Sequence, residues 1–254
     1  MNQSNKISGL LITYNEVNHI NQVIKNIDFV DEIIVVDSFS SDGTLEKLQA
    51  FKQVKVIQRE FKNFADQRNF AIQQATKDWI LFIDADERIP EKLKNEILDE
   101  TKNPDGTSGF MVKRLYYFKQ KRIRFSGFQT DTTYRLFKNG KVKYLEDKIV
   151  HEMPEIDGTS KLLKNNMLHY CFNSAAHYKS KMEQYAKLKA LELFNKGKKP
   201  NAYHFYLRPV IKFVTNYIFR LGFLDGIEGF QICYLSAYGV HFRYKTLKKL
   251  RNKL

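Results

Sequence analysis

Two carboxylates one residue apart, Asp84 and Asp86, close an apolar run that extends from Trp79 to Ile83. An unbroken hydrophobic run marks a strand covered on both faces, and in open α/β sheets ligands collect beyond the carboxyl ends of the strands. On an extended backbone the two side chains point the same way. Both could then reach one hard cation such as Mg²⁺ or Mn²⁺, which takes carboxylate oxygens and leaves positions for phosphate. The plainer alternative is a strand followed by an acidic turn and a helix start, for which Pro90 and Glu91 are well suited.

Two earlier segments end in the same way. A first apolar run stops at Thr13-Tyr14-Asn15-Glu16, and a second stops at Asp37-Ser38-Phe39-Ser40-Ser41-Asp42-Gly43-Thr44. Polar loops at successive strand ends, flanked by helix N-termini, make a cradle for a nucleotide: Asp37 could accept from ribose or base, and backbone N–H groups could meet phosphate. Taken singly, each is as well explained by the preference of Asn, Ser and Asp for turns and caps. Their recurrence with Asp84-Ala85-Asp86 favours a site.

The elements that must position these residues alternate in type over the first hundred positions, as βαβ units in a largely parallel sheet do. The pattern predicts strands at 7–13, 32–37, 54–57 and up to Asp84. Between them it predicts helices from Asn15 through Ile27, from Ser41 or Asp42 through Phe51, and over 63–75, the last with Asn63 and Asp66 spaced as a capping pair. Beyond about residue 108 the texture becomes antiparallel. Strands over 109–118 and 121–125 are followed by a hairpin of 133–138 with 141–145 around Asn139-Gly140. A helix over 174–195, closed by Gly197, and an aromatic, basic helical region broken near Pro209 and at 222–229 complete the chain. The expected partition is a catalytic domain over 1–172, divided into a nucleotide-binding half (1–107) and an antiparallel acceptor side (108–172), and a helical region over 173–254.

At 254 residues the chain can bury one sizeable core with an appendage. Forty-two basic against 28 acidic residues give a net charge of +14, which favours anionic partners. Cys171 and Cys233 have no paired spacing, which argues against a zinc site or a disulfide framework. The apolar stretch 7–12 is too short for a signal peptide, and no run reaches the 18 or so apolar residues a membrane span needs. A cytoplasmic location follows, with attachment to the inner face of the membrane left open. Tyr and Phe interleaved with Lys and Arg after residue 203 suit an anionic membrane surface, or equally the packing of aromatics onto the catalytic domain. No nucleic-acid module accompanies the charge.

The ordered set Thr13-Tyr14-Asn15-Glu16, Asp37-Ser38, Ser41-Asp42-Gly43-Thr44, Phe64-Ala65-Asp66-Gln67-Arg68-Asn69 and Asp84-Ala85-Asp86-Glu87 resembles a family 2 glycosyltransferase with the α/β GT-A fold. That fold is a Rossmann-like, mostly parallel sheet with helices on both faces and an antiparallel extension. Tyr134-Arg135-Leu136-Phe137, Val150-His151-Glu152 and Gly222-Phe223-Leu224-Asp225-Gly226 further resemble bacterial lipopolysaccharide core glucosyltransferases.

The resemblance implies an inverting transfer of a hexose from a nucleotide diphosphate sugar, with UDP-sugars the first choice, to a lipid-linked or lipopolysaccharide-core saccharide. Asp86 would be the primary metal ligand, with Asp84 near the ribose or a metal-bound water, and His151 would complete the shell or touch diphosphate. Thr13, Tyr14, Asn15, Glu16, Asp37, Ser38, Asp42, Arg68, Asp84 and Ala85 would line the donor site. Arg68 could equally form a salt bridge on its helix. The base that takes the acceptor proton stays open among Asp131, the Glu146-Asp147 pair and Glu152, with Glu152 and Asp131 preferred. Rival readings are a non-catalytic sugar-nucleotide or membrane-binding module and, less favoured, a phosphoryl-transfer enzyme, which would want its nucleophile near the start of the chain.

Overall fold

A computed structural model of the chain describes residues 6–145 and 154–252. Their contacts group into two compact units, residues 1–114 with 132–169 and residues 115–131 with 170–254.

In the first unit, strands β1 (Ile7–Thr13), β2 (Glu32–Asp37), β3 (Val54–Gln58) and β4 (Trp79–Phe82) pair in parallel in the order β3-β2-β1-β4. Their apolar runs divide cleanly between two cores, because side chains alternate across a strand. Leu11, Val35 and Leu81 face one cluster with helices α1 (Ile20–Asn26) and α4 (Glu91–Lys102). Leu10, Ile34, Val36, Ile80 and Phe82 face the other with α3 (Phe64–Gln74). Helix α2 (Thr44–Gln49) joins β2 to β3, and the two-residue strand β5 (Glu87–Arg88) precedes α4.

The sheet continues past β4 through β8 (Thr132–Lys138), β6 (Thr107–Phe118) and β11 (Thr159–Phe172) to β5 at its edge, with β4-β8, β8-β6 and β11-β5 antiparallel. Asn139-Gly140 does form a turn, with Gly140 at φ +78°. The expected hairpin partner is different, however. Strand β9 (Val142–Tyr144) pairs with β10 (Pro154–Ile156) in a separate two-stranded sheet, while β8 takes β4 and β6 as its neighbours.

In the second unit, β7 (Lys121–Ile123) pairs with Tyr116–Phe118 of β6. Helix α5 (Ala175–Asn195) starts where Ser174 accepts from the His177 N–H, and Gly197 follows it at φ +68°. It packs along α7 (Gly226–Arg251), with Tyr178 bonded to Ser236 at 2.7 Å and Tyr238 donating to Glu183 at 2.7 Å. The break expected at Pro209 does not occur, because Pro209 lies in the first turn of α6 (Arg208–Val214), where its missing N–H is tolerated. Instead α6 is bracketed by π-helical turns at Tyr203–Leu207 and Thr215–Phe219.

A 3₁₀ turn, Gly222–Asp225, leads into α7. Gly229 is required there: a Cβ on it would lie 2.0 Å from the Gly222 carbonyl oxygen. Asp225 is buried and accepts from the N–H groups of Arg124 and Phe125 and from the Ser126 hydroxyl, each at 2.9 Å. This carboxylate therefore anchors the loop that runs on to Asp131.

Candidate functional site

The carboxyl ends of β2, β1 and β4 lie side by side and carry the three polar segments read from the sequence. Asp37 closes β2 fully buried, and its carboxylate binds the neighbouring loop: it accepts from the Ser40 hydroxyl (2.5 Å), the Ser40 N–H (3.0 Å) and the Thr13 hydroxyl (3.2 Å). Asn15 is not the helix cap the sequence suggests, since α1 begins only at Ile20. It adopts φ +56°, donates its N–H to Ser40 Oγ and accepts from the Ser41 N–H, so it ties the β1 loop to the β2 loop.

Asp42 performs a related task, accepting from the Thr44 hydroxyl and from the N–H groups of Thr44 and Val17. Burial alone would raise its carboxyl, but these hydrogen bonds outweigh it and hold it below the usual value. Glu16 donates its N–H to the Thr44 hydroxyl, and the Ser38 hydroxyl accepts from Gln67. Tyr14 projects into solvent. The result is a rigid rim of hydroxyl, amide and carboxylate groups with an exposed aromatic ring upon it.

The acidic pair is arranged differently from the extended strand end expected. Strand β4 stops at Phe82, and Asp84-Ala85-Asp86-Glu87 form a tight turn closed by the Glu87 N–H on the Asp84 carbonyl at 3.0 Å. A turn rotates successive side chains, so the two carboxylates go to different partners. Asp84 accepts from Arg68 at 3.0 Å and from Arg135. Burial pushes its carboxyl up, but Arg135 first and Arg68 second hold it far below the ordinary carboxylate range. Ala85 is buried, and its carbonyl accepts from Arg88 at 2.7 Å.

Glu87 completes this network. Its carboxylate accepts from Arg135 at 2.6 Å, from Arg114 at 3.4 Å and from the Asp84 N–H at 3.1 Å. Arg68 reaches from α3 to Asp84 in this turn, not to a partner on its own helix, and its guanidinium also lies over the Phe82 and Tyr144 rings at 4.7 and 5.6 Å.

Asp86 faces the other way, towards His169, whose Nε2 lies 3.3 Å from Asp86 Oδ2. The register explains the meeting: β11 runs antiparallel to β5 with His169 opposite Glu87, the residue after Asp86. Both side chains are nearly buried, with exposures of 12% and 13%.

A divalent metal is the group this family resemblance implies, and the pair fits it. Cis ligands with bonds near 2.1 Å are about 3 Å apart in an octahedral shell, and a carboxylate oxygen with an imidazole nitrogen is a set Mn²⁺ accepts, whereas Mg²⁺ would take the Asp86 oxygen with water rather than the imidazole. Among the described residues no three carboxylate, imidazole or thiol groups gather to enclose an ion, so water or phosphate oxygens would have to supply the rest.

Of the remaining expected residues, Asp131 accepts from the Tyr116 hydroxyl at 3.0 Å within the second unit. His151, Glu152 and the Glu146-Asp147 pair lie outside the described residues. His169, Glu87, Arg114 and Arg135 are site residues without a sequence expectation of their own. Glu87 and Arg135 did have a signal, since they belong to the Asp84-Ala85-Asp86-Glu87 and Tyr134-Arg135-Leu136-Phe137 runs.

Residues 8–174 match the family model described as Glycosyl transferase family 2. An uncharacterized glycosyltransferase of Rickettsia felis is 31% identical over 264 aligned positions, covering 98% of this chain and 90% of its own. The lipopolysaccharide core biosynthesis glycosyltransferase LpsC of Rhizobium meliloti is 26% identical over 251 positions, covering 94% and 93%. Among solved structures, the mannosyltransferase PcManGT of Pyrobaculum calidifontis, in complex with GDP-Man and Mn²⁺, superposes with a TM-score of 0.52 at 14% identity, covering 99% of this chain and 75% of that one. That last likeness is one of fold.

Proposed function

The chain belongs to glycosyl transferase family 2 and is a glycosyltransferase of GT-A fold, and we propose that it moves a hexose from a nucleotide diphosphate sugar to a lipid-linked or lipopolysaccharide-core saccharide, with inversion at the anomeric carbon. The observation that carries the donor half of this reading is the rim at the adjoining ends of β1, β2 and β4, where Thr13 bonds Asp37, Asn15 is tied to Asp37 through Ser40, and Asp42 holds Thr44 and the Val17 N–H. Such a prebuilt cradle costs little ordering on binding. Tyr14, Glu16, Ser38 and Ala85 complete its wall in this reading. UDP is the preferred carrier, and the likeness to LpsC supports a lipopolysaccharide-core acceptor, which this reading places at the inner membrane face. Among the described residues no helix is long and apolar enough to cross a membrane.

Asp86 and His169 are the residues that would hold a divalent metal, with Mn²⁺ preferred and Mg²⁺ the alternative. His151 is a further candidate ligand. When bound, the ion supplies positive charge for the departing nucleoside diphosphate. The protein's own part is positional. Arg68 and Arg135 fix Asp84, and with it the turn that presents Asp86. A carboxylate, Asp131 or Glu152, takes the proton of the acceptor hydroxyl as its oxygen bonds to the anomeric carbon. The bond from that carbon to the diphosphate oxygen breaks and the electron pair leaves with the diphosphate.

A panel of UDP-, GDP- and dTDP-sugars, offered to the purified chain with phosphorylated lipopolysaccharide-core acceptors, tests this directly. Nucleoside diphosphate release that depends on acceptor is expected for one donor. Donor binding without turnover on any acceptor would point to a binding module instead.

A further inference from the structure

Along α6 and the π-helical turn after it, Arg208, Ile211, Lys212 and Thr215 recur every three or four residues and so share one face. With Val240 and Arg243 of α7 they line a cleft of about 340 Å³ within the second unit. Three of the lining side chains are cations and none is a carboxylate.

None of the three cations is paired with an acid among the described residues. Lys212 makes no hydrogen bond there, and the Arg243 Nε is buried without a hydrogen-bond partner. Arg208 bonds a neutral group, the Tyr244 hydroxyl, and lies over its ring at 5.6 Å. Glu192 is the acid whose charge reaches Arg243, and it is itself taken by Lys189 and Lys196 at 2.6 and 2.7 Å. Burial lowers the proton affinity of Lys212 and Arg243, and neighbouring cations add to the effect, Arg220 on Lys212 and Arg208 on Arg243. Partly desolvated like charges of this kind are costly unless an anion joins them.

The charge count selects the anion. Three cations around so small a space call for more than one negative charge on a single group, which a carboxylate or a phosphodiester does not carry. A phosphate monoester does: it bears about −1.5 to −2 at neutral pH, and its three strongly accepting oxygens suit guanidinium forks. A nucleic-acid backbone instead spreads single charges along a strand, where they would meet these cations one at a time. We propose that this cleft is a phosphate-monoester site, with Arg208, Lys212 and Arg243 meeting the phosphate oxygens. Inorganic phosphate, a phosphosugar and a lipid phosphate share that chemistry. None of the cleft residues belongs to the donor rim, which lies in the first unit, so the assignment stands apart from the donor reading.

The full chain, with divalent metal chelated, is titrated calorimetrically at one ionic strength with inorganic phosphate, glucose 6-phosphate, monomeric dihexanoyl phosphatidic acid and acetate. At least one phosphate ligand should bind roughly tenfold or more tighter than acetate, as one further charge-assisted contact implies. That binding should fall by a similar factor or more in K212Q/R243Q and stay within a few-fold in K212R/R243K. The control K245Q/K249Q removes the same charge from exposed positions of α7 and should lose less than about threefold, because solvent screens it. R208Q, at an exposed residue, should weaken binding at least several-fold and carries the test should the double variant fail to fold. Preference for glucose 6-phosphate assigns the site to a phosphosugar, preference for phosphatidic acid to a lipid headgroup, and equal binding of all three to free phosphate; each keeps the proposal. Acetate bound as tightly as every phosphate ligand, or equal losses in the cleft and control pairs, would overturn it.

Discussion

Replacing Arg135 by Met tests whether the acidic turn is held by the network described for it. Arg135 is 5% exposed and Glu87 0%, and their 2.6 Å contact is joined by the bond from Arg135 to Asp84. Met fills a similar volume but leaves the Glu87 carboxylate in the interior with Arg114 at 3.4 Å as its remaining cation. Breaking a buried pair from one side costs about 3–5 kcal/mol. For a chain of this size each kcal/mol moves the melting temperature by about 2–4 °C, so R135M should melt roughly 6–20 °C lower in a calorimetric scan. The companion variant E87Q/R135M removes the stranded charge and should recover a measurable part of that loss. Below its melting temperature R135M should also bind nucleotide sugar more weakly, because the turn bearing Asp86 has lost its anchor. A melting temperature within 2 °C or so of the parent, or no recovery in the double variant, would refute the reasoning.

Three other perturbations follow from the same contacts. D225A strands three donors in the 124–126 loop and should destabilise the chain by about 3 kcal/mol or more, with D225N milder, as denaturant melts would show. G229A sets a methyl group against the Gly222 carbonyl and should cost at least about 2 kcal/mol; an unchanged midpoint would show that the turn relaxes freely. Asp84 has a carboxyl depressed from its ordinary 3.8 in the folded state. Its stabilisation is therefore complete above that value and lost as pH falls below it. Melting temperature against pH should drop below about pH 4, with a smaller drop in D84N.

The parallel half of the fold was legible because its strands are buried on both faces and its helices amphipathic, so runs such as Ile33-Ile34-Val35-Val36 leave little choice. The capping of α3 was also local, and Asn63 does accept from the Asp66 N–H at 2.8 Å. What sequence could not supply was partnership at a distance. Asn139-Gly140 announces a turn but not which strands flank it in the sheet, and β9 found β10. Asp84-Ala85-Asp86 announces acids beyond a strand, but its backbone turns where Arg135 captures Asp84 and Glu87 from 51 and 48 positions away. His169 gives no local sign, since it sits within the 14-residue strand β11 and meets Asp86 only through the β5 register.

The central claim is that Asp86, with His169, holds the ion that serves the diphosphate of a sugar donor. Calorimetric titration of UDP-sugar into the parent and into D86A, with and without Mn²⁺, tests it most directly. The account predicts that Mn²⁺ tightens donor binding at least tenfold in the parent, as loss of one charge-assisted contact of about 1.5–3 kcal/mol implies, and that this gain disappears in D86A while metal-free binding stays. A gain from Mn²⁺ of equal size in D86A and the parent would contradict it.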